Sequence, residues 1–111
     1  MERAELISLL ADEAPAQRAC RAALEGGAIF HVQPGDGIPA NELAPSYRVR
    51  EAHIRKVGIP SVGFAEAVET LAALEERPVL VGSVAQEASP RSFVVFLAAD
   101  ATAVLACIGV G

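Results

Sequence analysis

Tryptophan is absent from this chain of 111 residues, and tyrosine occurs once beside four phenylalanines. A core with so few rings must be aliphatic and alanine-rich, with elements that approach closely. Cysteine occurs twice, at Cys20 and Cys107, and histidine twice, at His31 and His53. There is no Cys-x-x-Cys and no His-x-x-x-His, so the ligand spacing of a structural or catalytic zinc site is missing. Pro34-Gly35-Asp36-Gly37 is rich in glycine, but no Lys-Ser/Thr follows it and no helix start is expected there. Both the Walker and the dinucleotide patterns therefore fail, and turn formation accounts for the glycines. No metal or cofactor is expected.

A nucleophile is equally hard to find. Cys107 lies inside an apolar run, a setting that raises a thiol pKa and leaves it inert. Ser61 reads as a turn or helix-cap residue. The two cysteines are far apart in sequence and apolar in surroundings, which suits buried thiols in a reducing compartment. The first ten residues contain Glu2, Arg3 and Glu5 with no long apolar run behind them, so no signal peptide is expected and a cytoplasmic location is.

Positive charge is also scarce. Nine basic residues face 14 acidic ones, for a formal net charge of −5, a balance that repels phosphate backbones and anionic lipid. Arg48, Arg50, Arg55 and Lys56 gather four of the nine basic groups ahead of a turn and a helix, an order that invites a helix-turn-helix reading. The second helix would present Glu66, Glu69 and Glu76 where base edges need Arg, Lys, Asn or Gln. Nucleic acid is therefore not an expected partner. The basic cluster reads as a solvated face or as counter-charge for acidic neighbours.

What the chain does contain is hydrophobic pattern, at 52% of residues, which makes disorder implausible and fits one globular domain over 1–111. Residues 79–86, 92–98 and 103–110 are short apolar runs rich in Val, Phe and Ile, separated by Glu87–Arg91 and by Asp100-Ala101-Thr102. They read as a three-strand antiparallel meander. A membrane span over 93–111 competes with this. Asp100 would then sit at mid-bilayer at a cost of about 2.5–3.5 kcal/mol, whereas Asp-Ala-Thr is sound turn chemistry because a short Asp side chain bonds its own following backbone. No membrane association is expected. The run Phe93-Val94-Val95-Phe96-Leu97 is apolar at every position and predicts a central strand covered on both faces. The second cover would be the amino-terminal helices or another subunit, which leaves a homodimer open.

Upstream, residues 2–11 and 13–25 read as two amphipathic helices. The second is capped by Asp12, has Arg18, Arg21 and Glu25 outward, and ends at Gly26-Gly27. Residues 28–33 read as a possible extra strand, 34–46 as an irregular loop and 48–57 as a short helix in preference to a strand. Gly58–Ser61 reads as a turn. Residues 64–76 form the best helix, with Phe64, Ala67, Val68, Leu71 and Leu74 on its apolar face and Glu66, Glu69 and Glu76 opposite. The fold class is α+β.

With catalysis, metals, phosphates and membranes disfavoured, a non-enzymatic, protein-binding role remains. In size, acidity and lack of catalytic motifs the chain is similar to immunity-type proteins, bacterial inhibitors that neutralise a toxic enzyme by occluding a basic surface. That likeness implies a basic partner such as a toxin domain. The expected binding residues are Glu66, Glu69 and Glu76 with Asp36 and Glu42 of the 34–46 loop. Two other readings belong to different classes. The order helix, strand, helix, three strands loosely resembles roadblock- and profilin-like domains, which implies a self-associating regulatory or scaffolding role. A small-ligand-binding domain or enzyme would instead use His31, His53 and Asp36.

Overall fold

The computed structural model describes residues 1–57, 64–86 and 92–110; the side chains at 34–38, 54 and 110 are outside that set. The elements run α1 (Arg3–Leu9), α2 (Pro15–Glu25), β1 (Ile29–Pro39), α3 (Ala40–Lys56), α4 (Phe64–Ala73), β2 (Pro78–Ala85), β3 (Ser92–Ala98) and β4 (Val104–Val110). This is an α+β fold. The four strands form one antiparallel sheet in sequence order, β1-β2-β3-β4. The strand expected at 28–33 is present and pairs along β2, with Ile29 opposite Ala85 and Gln33 opposite Val81.

Alternation along the strands sends side chains to two separate cores. Phe93, Val95 and Leu97 of β3 meet Leu6, Leu10, Cys20 and Leu24 from α1 and α2. Phe96 meets Tyr47, Phe64, Val68 and Leu71 from α3 and α4. Val95, Phe96 and Leu97 are all fully buried, so β3 is the covered central strand its composition predicts. The amino-terminal helices supply the second cover. At Gly82 of β2 the side chain of its ladder partner Val32 comes close, since a Cβ there would lie 3.3 Å from it. At β4 a register shift falls between Phe96 and Leu97, which face Ala106 and Val104. The extra residue, Leu105, joins Ala106 in the α3–α4 core, as a β-bulge allows.

Several local expectations are corrected. The first helix is shorter than 2–11, and the second begins at Pro15 with Ala14 as N-cap and no side-chain cap. Pro15 loses nothing in a first turn, because an N–H there has no intrahelical partner. Asp12, expected as the cap, pairs instead with Arg21. Arg21, expected to face outward, also donates to the Leu10 carbonyl and ties the end of α1 to α2. The last helix ends at Ala73, with Glu75 at φ 53 in the following turn. That left-handed residue breaks the helical run before Glu76.

The largest correction concerns 34–46. It is no irregular loop: β1 continues to Pro39 across a register shift, and α3 starts at Ala40 and passes through Pro45. Proline inside a helix removes one i→i−4 hydrogen bond and discourages the assignment from sequence. The helix start is held from outside. The Ala40 N–H donates to the Arg77 carbonyl at 3.2 Å and the Asn41 N–H to the Glu75 carbonyl at 2.8 Å. These bonds satisfy two of the helix's orphan donors, while Ala40 and Ala44 are buried beneath. The helix expected at 48–57 is thus the second half of a longer one. The Gly58–Ser61 turn and the Glu87–Arg91 connection lie outside the described residues.

The β3–β4 turn forms as its composition predicts. Asp100 Oδ1 accepts from the Thr102 N–H at 3.2 Å and from the Thr102 hydroxyl at 2.6 Å. These two bonds hold the Asp100 carboxyl below the usual carboxylate range.

Candidate functional site

Glu66 and Glu69 stand exposed, one turn apart on α4, and Glu76 is exposed in the turn after it. Helical periodicity puts them there: Ala67, Val68 and Leu71 turn inward, so positions three apart on the other side meet water. The ion pairs of the described residues are Arg21–Asp12 and Arg55–Glu51, so none of these three carboxylates is neutralised there. Glu42 belongs to the same region. The Asn41 to Glu75 hydrogen bond seats the start of α3 against the turn that follows α4. Glu42, the residue after Asn41, is also exposed. The backbone bond joins the start of α3 to the turn after α4, segments that no local pattern relates. The side chain of Asp36 lies outside the described residues.

Glu66 also stands on the rim of a cavity of about 220 Å³ beside β4, with Gln17, Thr70, Leu105 and Cys107 among its lining residues. This cavity runs from the start of α2 to the middle of α4 across the outer side of β4. Cys107 and Cys20 are free and buried. The Cys107 thiol donates to the Ala16 carbonyl at 3.8 Å. Its hydrogen bond with Cys20, together with burial, pushes it above the ordinary thiol range. A thiol so held is neutral, and it packs rather than attacks.

Of the residues set aside for ligand chemistry, His31 lines a hollow whose lining does not include His53. His53 is exposed on the last turns of α3. His31 lines a hollow of about 190 Å³ with Gln33, Ser83, Tyr47, Arg50 and Val94 among its neighbours. Gln33, Ser83, Tyr47 and Arg50 are invisible as a group in the sequence, because they come from three elements. The one available signal was the polar side of the 28–33 strand, His31 and Gln33, on an otherwise apolar sheet. Among the described residues no three of His, Cys, Asp and Glu are arranged to hold a metal ion, and no helix is long and apolar enough to cross a membrane.

The basic cluster of α3 is solvated, as its sequence predicts. Arg48, Arg50, Arg55 and Lys56 are exposed, and Arg55 pairs with Glu51 one turn earlier at 2.6 Å. In the last turn His53, Arg55 and Lys56 complement the negative end of the helix dipole. Acidic and basic surfaces thus occupy the two helices of one layer. Compared with protein-family models, with curated proteins and with solved structures, the chain matches none.

Proposed function

We propose that the protein is a protein-binding module of the immunity type, which blocks a basic surface of a toxic enzyme with the acidic region built from Glu66, Glu69, Glu76 and Glu42. The observation that carries this reading is their exposure without cationic partners among the described residues. The backbone bond from Asn41 to Glu75, which docks the start of α3 on the turn after α4, supports including Glu42 with them. Unpaired carboxylates on a rigid helix attract a basic partner over a Debye length of about 8–10 Å and speed encounter more than they lengthen residence.

The reading is tested by affinity capture from the native cell extract, run in parallel with a Glu66→Lys, Glu69→Lys, Glu76→Lys variant. A basic protein held by the wild type and lost by the variant is the expected result. For that pair, the association rate at low salt falls by about tenfold or more in the variant. Equal capture and equal association rates would discard the acidic surface as the binding site.

A further inference from the structure

The helical layer formed by α3 and α4 covers its face of the sheet unevenly. Toward β3 and β4 it buries Phe96, Ala106 and Ile108. At the β1–β2 corner it leaves His31, Gln33 and Ser83 exposed, with Ile29 at 59% exposure beside them. His31 and Ser83 are directly opposite in the ladder, so their side chains share this face. Tyr47 and Arg50 of α3 form a wall over them, and Val81 and Val94 supply an apolar floor.

The composition of this hollow is lopsided. Among the described residues it is lined by a guanidinium, an imidazole, a hydroxyl, a phenol and a carboxamide, and by no carboxylate. Arg50 has no acidic partner among the described residues. Its guanidinium carbon lies 5.1 Å from the centre of the Tyr47 ring. Tyr47 is itself only 8% exposed and packs edge-on against Phe96 at 4.9 Å. That buried ring holds the guanidinium at the hollow, with one Arg50 hydrogen bond going to the Tyr47 hydroxyl, and a guanidinium has five N–H donors in all. On β1, His31 Nε2 sits 3.3 Å from Gln33 Oε1, which orients both side chains along the strand.

We propose that this corner binds a compact oxyanion, a carboxylate or phosphate group carried on a small apolar body. The planar guanidinium fork of Arg50 takes the two oxygens, Ser83 and the Gln33 amide supply further donors, and the apolar body rests on Val81 and Val94. Charge-assisted, bidentate contacts of this kind are the strong and directional ones. Size narrows the class. A hollow of about 190 Å³ is smaller than the roughly 300–1,000 Å³ of sites that enclose drug-sized ligands, a size that suits small aromatic or branched aliphatic acids. Tyr47 acts as a positioning residue. The site is separate from the acidic α4 surface and stands whether or not that surface binds a protein.

The test is an NMR titration of the full-length, isotope-labelled protein with three probes: benzoate, inorganic phosphate and benzamide, the last a neutral match for the first. Saturable shifts at residues 31–33, 47–50 and 81–83 are expected with at least one anion, at Kd near or below about 1 mM. No response to benzamide is expected. Benzoate winning identifies a carboxylate ligand and phosphate winning a phosphorylated one. The Arg50→Gln variant weakens that binding about tenfold or more while its melting temperature stays within about 2 °C, since Arg50 is exposed. The proposal is overturned by silence with both anions, by an equal response to benzamide, or by unchanged affinity in Arg50→Gln. It is also overturned if the same resonances shift with protein concentration alone, which would mean a second copy covers the corner.

Discussion

The two faces of the sheet are built for different purposes. On the α1–α2 side every core position is apolar, and arginines close the structure: Arg3 donates to the Leu24 and Ala28 carbonyls at 2.6 and 2.9 Å and stacks on Phe30, while Arg21 bridges Leu10 and Asp12. On the α3–α4 side an aromatic cluster of Tyr47, Phe64 and Phe96 fills the centre, but a polar corner of the sheet stays open and both helices present charge. The same kind of residue serves opposite ends. Arg3 and Arg21 each bond backbone carbonyls and tie segments together, whereas Arg50 stands exposed against the Tyr47 side chain. Charge turned inward on one face makes a scaffold, and charge turned outward on the other leaves chemistry accessible.

The sharpest way to break this contrast is to place one carboxylate on each face. Val95→Asp puts an unpaired charge in the fully buried α1–α2 core, at a cost of about 3–5 kcal/mol or more. That approaches the whole stability of a typical domain, about 5–15 kcal/mol, so no cooperative thermal transition is expected by circular dichroism. Ser83→Asp at the open corner should melt within a few degrees of wild type. A folded Val95→Asp protein would contradict the assignment of that face as a dry core.

The next effect compares the two arginine classes by urea denaturation. Arg3→Ala removes two hydrogen bonds from a charged donor and a ring contact, and should lose about 1.5–3 kcal/mol. Arg50→Ala, on the surface, should lose less than about 0.5 kcal/mol. Reversal of that order would erase the distinction between scaffold and accessible charge.

The smallest effect lies at neither face but at the turn joining β3 to β4. The Asp100 carboxyl is held low by hydrogen bonds from Thr102, so its contribution favours the folded state above the unfolded carboxylate pKa of about 3.9. That contribution fades as pH falls through the lowered folded value. In a melting series from neutral pH into the acid range, Asp100→Asn should remove this component of acid sensitivity, leaving a shallower decline than wild type. Identical slopes would show that the turn does not depend on the charge.

Part of this architecture is legible in the residues alone. The run Phe93–Leu97 announces a doubly covered strand, Asp100-Ala101-Thr102 its turn, and Phe64, Ala67, Val68 and Leu71 a helix face, because each signal is contained within one or two turns of chain. The position of Glu66 and Glu69 on the outer side of α4 follows from the same periodicity. Asp12 was misread as a cap because its partner, Arg21, is nine residues on. The start of α3 was missed because Pro45 argues locally against a helix, while the carbonyls of Glu75 and Arg77 that support it lie more than 30 residues away.

Composition and periodicity by themselves therefore determined the strands of the meander, the main amphipathic helix, the acidic surface and the inert setting of Cys107. Tertiary structure alone decided which helices cover which face, that the start of α3 docks on the turn after α4, and that His31, Gln33, Ser83, Tyr47 and Arg50 surround one hollow. The reason is range. Backbone propensity and side-chain period act over a few residues, whereas a site assembled from β1, α3 and β2 exists only once hydrogen-bonded register and packing have fixed distant segments against one another.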